Sequence, residues 1–372
     1  VAGTLQCVRA GGLSQSFWGE LWKGAWTTRG DLRDAAIDHL PAFRTACFAA
    51  VVGVFFLYTG KLNRNLPTVT GTDSLKFAVC VTFFYVEERL CFLKKTCSEF
   101  PLFAPQVKVV IVTNAQREEH LSRIRQELAG LNLDYEIFQA QDSGHPFFLP
   151  WAHFIVFRRM IDDPSFTHFL YVEDDIYISK TSIDYWMREE QVLRPRGLIP
   201  SFFRYELKTG SAEKYSSDMA GKISIRDCPQ VILSPEKGFF NAPNPYQGVY
   251  FLPRDLMKEH LDGPSSNPDH RAKHGPIWNI REKAAQGLTW TGIPRKFNSR
   301  NVVGYNPRTY EIDEEALIQH LPANYANYWD SALGKIKISD LLSDDVSWDK
   351  RYRFGWRVLR YVTRKAFGTV PK

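Results

Sequence analysis

Between Leu75 and Asp175 apolar and amphipathic segments alternate with a regularity that few architectures satisfy. The runs "LKFAVCVTFFYV" (75–86), "VKVVIVTNA" (107–115), "DYEIFQA" (134–140) and "THFLYVEDD" (167–175) are β-rich. Between them lie "EERLCFLKKTCSEF", "QREEHLSRIRQELAGL" and "LPWAHFIVFRRMIDD", which read as helices. Near-continuous apolar strands that alternate with helices predict a parallel sheet covered on both faces. Such sheets bind ligands in the crevice at the carboxyl ends of their strands. After Ser179 the alternation stops. "GLIPSFFRYE" reads as one more strand, 207–238 as a polar excursion or hairpin, "GVYFLPRDLMKEHL" as a strand and short helix, and "GPIWNIREKAAQGLTW" as a helix.

The carboxyl end of the fourth strand carries Glu173, Asp174 and Asp175 inside apolar flanks. Burying unpaired carboxylates costs several kcal/mol, so three in succession require a cation, either bound or covalently attached to the chain. One solution is a hard divalent ion, Mn²⁺ or Mg²⁺, which in turn neutralises a diphosphate. The other is a strand-end turn whose acids cap a helix or pair with arginine. Strand alternation would put Glu173 and Asp175 on one face and Asp174 on the other.

These segments resemble the GT-A class of nucleotide-sugar glycosyltransferases over about Leu75 to Tyr325. Glu173-Asp174-Asp175 is similar to that class's DXD motif. Its EDD form resembles that of the N-acetylglucosaminyltransferases of N-glycan branching and of many bacterial transferases. The resemblance implies an α/β, Rossmann-like domain with a mixed, mostly parallel sheet and helices on both faces. It implies metal-dependent transfer of a hexose or N-acetylhexosamine from a nucleoside diphosphate sugar, most simply a UDP-sugar, to a hydroxyl of a glycan or lipid-linked acceptor. Asp175 would then be the direct metal ligand, with Glu173 beside it, and Glu173 and Asp174 would reach the ribose or sugar.

Other residues fit the same pattern. Tyr85, Glu87, Glu88 and Arg89, in "FFYVEERL", stand where the class cradles its nucleotide, although Glu87 and Glu88 equally suit the first turn of a helix. Asn114 and Asp142 fall at the crevice rim, as turn residues or nucleotide contacts. In "NAPNPYQGVYFL", Tyr246, Gln247 and Gly248 match a segment between donor sugar and acceptor, where glycine permits close backbone approach. Glu282 in "NIREKAA" is the candidate base of an inverting transfer, or simply part of a solvated helix face. Asp269 and Asp255 are the reserves. His320 in "LIQHLPANY" stands where some members complete their metal site.

Two other enzymes are disfavoured. A sugar-nucleotide pyrophosphorylase needs a glycine-rich loop with arginine after the first strand, and a phosphatase needs DxDx(T/V). Neither is present. A non-catalytic, membrane-associated carbohydrate-binding protein remains as the contrasting class.

The chain's 372 residues suffice for one large domain with extensions. We expect a helical N-terminal extension over 1–70, a catalytic domain over 71–345 and a basic tail helix over 346–372. The formal charge of +6 sits in the tail, where 349–372 carry eight Lys or Arg against one Asp. The body is thus near neutral, which argues against nucleic acid as a partner. Lys350, Arg353, Arg357, Arg360 and Arg364 make a basic stripe suited to peripheral contact with anionic membrane, or to docking on the domain's acids. "TACFAAVVGVFFLYTG" (45–60) is short for a spanning helix and reads as buried or interfacial. Trp18, Leu21, Trp22 and Trp26 give an aromatic stripe at helical spacing upstream. The six cysteines lack zinc-type spacing and read as reduced core thiols. Together these features suggest the cytoplasm or the cytoplasmic face of a membrane rather than a Golgi-type anchor.

Overall fold

The computed structural model describes residues 74–140, 146–268 and 278–344. Asp142, Asp269, the segment 1–70 and the tail 346–372 fall outside the described residues, as do the expected domain boundaries.

Four strands, β1 (Lys76–Phe83), β2 (Gln106–Thr113), β3 (Asp134–Gln139) and β4 (His168–Glu173), form one parallel sheet. A fifth strand, Val249–Pro253, adds to β4 antiparallel, and the spatial order runs Val249–Pro253, β4, β1, β2, β3. The central position of β1 follows from its sequence: Phe77 to Phe83 are all buried. β3 lies at the edge, and none of its residues is buried.

Three helices follow the first three strands: α1 (Leu90–Cys97), α2 (Glu118–Leu128) and α3 (His153–Met160). In α2 the buried residues Leu121, Ile124 and Leu128 recur at the three- and four-residue steps that define one helix face. α1 buries Leu90, Leu93 and Cys97 in the same way, and a 3-10 turn, Glu87–Arg89, precedes it. That turn sets Arg89 just beyond the carboxyl end of β1, beside the end of β4.

Past β4 the chain turns at Asp174 and Asp175, makes the short strand β5 (Ile176–Tyr177) and enters α4 (Lys180–Leu193). Ser179 caps α4, its hydroxyl accepting from the Ser182 amide at 3.2 Å. A second sheet carries the site's other wall, in the order β5, Leu317–His320, Phe203–Leu207, Lys214–Ser216. A third joins Gln230–Ser234, Lys237–Phe240, Asn301–Asn306 and Glu311–Ile312.

Two expectations are corrected. "GLIPSFFRYE" is two strands in different sheets: Ile199–Pro200 pairs with Asn301–Asn306, while Phe203–Leu207 pairs with Leu317–His320. The helix expected over "GPIWNIREKAAQGLTW" is only Ile280–Ala284 among the described residues, followed by turns at Gly287 and Gly292 that take positive φ. Among the described residues no helix is long and apolar enough to cross a membrane.

Candidate metal and nucleotide site

The three acids sit where β4 ends, and each meets a different partner. Glu173 ends the strand, and its amide donates to the Gly248 carbonyl at 3.0 Å. Its carboxylate accepts from the Tyr246 hydroxyl at 2.8 Å. Gly248 adopts φ +66, and a Cβ there would stand 2.9 Å from Glu173 Oε2. Glycine is therefore required twice, by backbone conformation and by the carboxylate packed against it.

After Glu173 the turn breaks strand alternation, so Asp174 and Asp175 face a common partner rather than opposite sides. Arg89 grips Asp174 bidentately, at 2.8 Å through Nε and 2.7 Å through a terminal nitrogen, which also reaches Asp175 Oδ2 at 2.9 Å. Both carboxylates are almost fully buried, so this pairing offsets a desolvation cost that neither would survive alone. The Thr96 hydroxyl anchors the turn by donating to the Asp174 carbonyl at 2.8 Å.

His320 completes the cluster. Its Nε2 lies 3.5 Å from Asp175 Oδ2, and its Nδ1 is 2.6 Å from Glu206 Oε1. Glu206 is fully buried, and its other oxygen accepts from the Ala326 amide at 2.6 Å. Sheet register explains the arrangement: His320 pairs with Ile176, and Ile318 with Arg204 in the neighbouring strand. Alternation then puts Arg204, Glu206 and His320 on one face, toward the acids. Arg204 forms a buried ion pair with Asp218 and lies 4.8 Å from the centre of the Tyr246 ring.

The electrostatics follow from this map. Burial, then the Asp175 charge, raises the Asp174 carboxyl above its ordinary range. Burial and Asp175 do the same to Glu173. Asp175 goes the other way: burial would raise it, but the hydrogen bond and charge of His320, with those of Arg89, hold it low. Burial opposes charge on His320, yet hydrogen bonds to Asp175 and Glu206 outweigh it and push the imidazole up to about 9. Arg204 is neutralised by Asp218, so the carboxylates Glu173, Asp174, Asp175 and Glu206 outnumber the cations around them, Arg89, His320 and, beside Glu173, Arg281. Full ionisation leaves a net negative charge.

That excess fits a divalent cation, and so does one atom: Asp175 Oδ1 is buried with no hydrogen-bond partner. A histidine whose second nitrogen is held by a carboxylate is also a familiar arrangement of metal ligands. Among the described residues, however, no three His, Cys, Asp or Glu side chains converge as a metal cage. Glu173 is turned to Tyr246, so Asp175 and His320 are the pair brought together. Mg²⁺-type ions take one or two carboxylates and complete their shell with water and phosphate oxygens, so a pair suffices.

The remaining expected residues divide. Asn114 joins the ends of β1 and β2, its Oδ1 accepting from the Tyr85 amide at 2.8 Å. The Tyr85 ring stacks on His120 with centroids 4.1 Å apart, presenting an aromatic pair at the crevice rim. Glu87 bonds the Tyr85 hydroxyl at 2.5 Å and pairs with Arg123. Glu88 is exposed. Gln247 is buried, and its amide oxygen accepts from the Phe202 amide at 2.8 Å, so it braces the wall. Asp255 pairs with Arg194 on the surface. Glu282 closes a capping box with Asn279, which gives it a structural task at the start of its helix. Trp278, next to that cap, stacks on Tyr246 with centroids 5.6 Å apart.

Sequence reasoning missed Glu206, Arg204 and Trp278. For the first two a signal existed: arginine and glutamate at alternate positions of the apolar run "FFRYEL" mark charges delivered to one face.

No protein-family model matches the chain, and neither does any curated protein. Among solved structures it is similar to S. aureus TarS, at 17% identity and a TM-score of 0.29 over 50% of this chain and 30% of that one. It is also similar to a glycosyltransferase involved in glycosylation of the major capsid of PBCV-1, at 11% identity and a TM-score of 0.32 over 66% of this chain and 94% of that one. The bifunctional glycosyltransferase WbbM is a third, at 12% identity and a TM-score of 0.21 over 28% of this chain and 19% of that one. The chain thus spans less than a third of TarS. Likeness at these TM-scores carries no argument, and the functional reading rests on side-chain geometry.

Proposed function

We propose that this chain is a metal-dependent glycosyltransferase that moves a sugar from a nucleoside diphosphate sugar to a hydroxyl. The observation that carries the proposal is the unpartnered Asp175 Oδ1 beside His320, at the carboxyl end of a parallel strand, in a cluster with more carboxylates than cations. Asp175 and His320 would hold Mn²⁺ or Mg²⁺, with Glu206 fixing the imidazole. The ion would neutralise charge on the departing diphosphate, the largest electrostatic demand of such a reaction. Tyr85 and Asn114 line the rim on which the nucleotide would lie, and Glu173, fixed by Tyr246, would accept from sugar or ribose hydroxyls. UDP is the donor nucleotide we propose, and the acceptor is a glycan or lipid-linked hydroxyl near a membrane, toward which the basic stripe of the tail would orient the chain.

Calorimetry of UDP with and without Mn²⁺ tests this reading on the native protein and on Asp175→Asn. The native protein should bind UDP in a metal-dependent way, and the variant should lose that dependence while keeping its fold. Unchanged, metal-dependent affinity in the variant would make the acids a structural ion-pair cluster and remove the proposal's support.

A further inference from the structure

The sheet that delivers His320 and Glu206 to the acidic cluster has a second face. In register across three strands, Tyr177 pairs with Gln319, and Gln319 with Tyr205. Each of these immediately neighbours a residue of the cluster's wall, so alternation turns all three away from it. They floor a groove of about 310 Å³, bordered by Thr181 at the start of α4 and by Glu314 and Lys214.

We propose that this groove binds a neutral oligosaccharide, at a site separate from the acidic cluster. This goes beyond the transferase reading and does not depend on it. Three observations point to the ligand's chemistry. First, the floor is two tyrosine rings flanking an amide, spaced by two strand separations, roughly 10 Å, which suits two consecutive sugar rings. Each ring is held in place by a cation, Lys95 at 4.2 Å from the Tyr177 centroid and Lys214 at 5.0 Å from that of Tyr205, so the platform is preorganised. Second, the Gln319 amide and the Tyr205 hydroxyl have no hydrogen-bond partner among the described residues, and both line the groove. Sugar hydroxyls, which donate and accept, would satisfy them. Third, the charged residues that line the groove are paired: Lys214 with Glu314, and Glu315 with Arg188. The charges that line the groove are thus paired, and Lys95 is engaged on the Tyr177 ring, which disfavours nucleotides, phosphates and nucleic acids. A peptide fits less well, because the floor offers side chains rather than a free strand edge and has no deep apolar pocket for an anchor.

The test uses the full chain and four probes: maltohexaose, cellohexaose, chitohexaose and mannohexaose, titrated by saturation-transfer NMR. At least one should bind, and Tyr205→Ala should weaken it by about tenfold, the worth of one well-made contact. Thr181 is exposed, so Thr181→Arg should fill the groove's edge and block binding without disturbing the sheet. Mn²⁺-dependent UDP binding should be unchanged in both variants. The proposal is overturned if none of the four hexaoses binds, or if Thr181→Arg binds as the native protein does. Loss of UDP binding in the native protein would count against the transferase reading alone.

Discussion

His320 reaches Asp175 through one ring nitrogen while Glu206 holds the other at 2.6 Å. Neither of these two contacts involves residues close in sequence: the pairing of Leu317–His320 with β5 creates the first, and its pairing with Phe203–Leu207 creates the second. In the proposed metal site Glu206 would be a positioning residue, one that fixes the ring's orientation and raises its basicity as a ligand. Glu206→Gln keeps the shape, but its single amide oxygen can accept from only one of His320 Nδ1 and the Ala326 amide. Losing the carboxylate should weaken metal-stimulated UDP binding by about 10–100-fold, the usual effect of an outer-shell change. UDP titrated at several Mn²⁺ concentrations reads this directly. A purely structural Glu206 would lower melting temperature and leave the metal dependence as it was.

Arg89 is the cation that makes the acids tolerable before any ligand arrives. Arg89→Met leaves Asp174 and Asp175 buried without a guanidinium, and breaking a buried pair costs about 3–5 kcal/mol. With Asp175 still near His320 and the arginine side chain partly exposed, the lower end of that range is expected. If a divalent cation belongs here, Mn²⁺ should restore much of the lost stability in Arg89→Met. Thermal unfolding in EDTA and in Mn²⁺ makes the comparison. An equal deficit under both conditions would mean that no metal binds near the pair.

The parallel sheet was legible in the sequence because β1, β2 and β4 are buried on both faces and announce themselves as uncut apolar runs. β3 was readable for a different reason, a β-rich stretch set between two helices. What could not be read was the second sheet. β5 is two residues long, its partners lie far along the chain, and neither periodicity nor spacing encodes which short strands meet. Hence His320 could be suspected only from its resemblance, and Glu206 was not suspected at all. Glu173 shows the opposite limit. Its position was legible, but its commitment to Tyr246 depends on Gly248 bringing a distant loop within contact distance.

Three histidines outside the site should set the acid limit of stability: His153, His260 and His168, the last lowered to about 4 by burial and the charge of Arg194. His153 is fully buried, its Nδ1 bonded to the Pro150 carbonyl and its Nε2 2.6 Å from the Tyr250 hydroxyl. Burial lowers it to about 3 despite that carbonyl. Burial, helped by the charge of Arg158, lowers His260 to about 3 as well. From pH 6.5 down to about 4 for His168, and to about 3 for the other two, the unfolded chain binds protons on these rings that the folded chain refuses, so stability falls as pH falls. The loss is about 1.4 kcal/mol per histidine for each pH unit below 6.5. Urea unfolding at pH 7, 6 and 5 should show it, and His260→Gln should flatten the slope by about one proton. An unchanged slope in that variant would exclude His260 as a contributor.

Glu282 closes the capping box through Oε2, while Oε1 has no partner among the described residues. The same carboxylate therefore has one oxygen occupied in structure and one free. Its helix begins beside Trp278, which stacks on Tyr246, and Tyr246 in turn bonds Glu173, so the free oxygen belongs to the segment that borders the cluster. In a transfer that inverts the anomeric centre, this oxygen would take the proton from the acceptor hydroxyl. Glu282→Gln isolates that role, because glutamine also serves at the third position of a capping box and preserves the helix start. We expect kcat to fall by about 10²–10⁴, the range for removing a positioned base, with UDP affinity and melting temperature nearly unchanged. Glu282→Ala should lose both, since the cap goes with the base, at a cost of about 1 kcal/mol in stability. If Glu282→Gln turns over within a few-fold of the native protein, Glu282 is a cap and nothing more, and the base must be sought elsewhere.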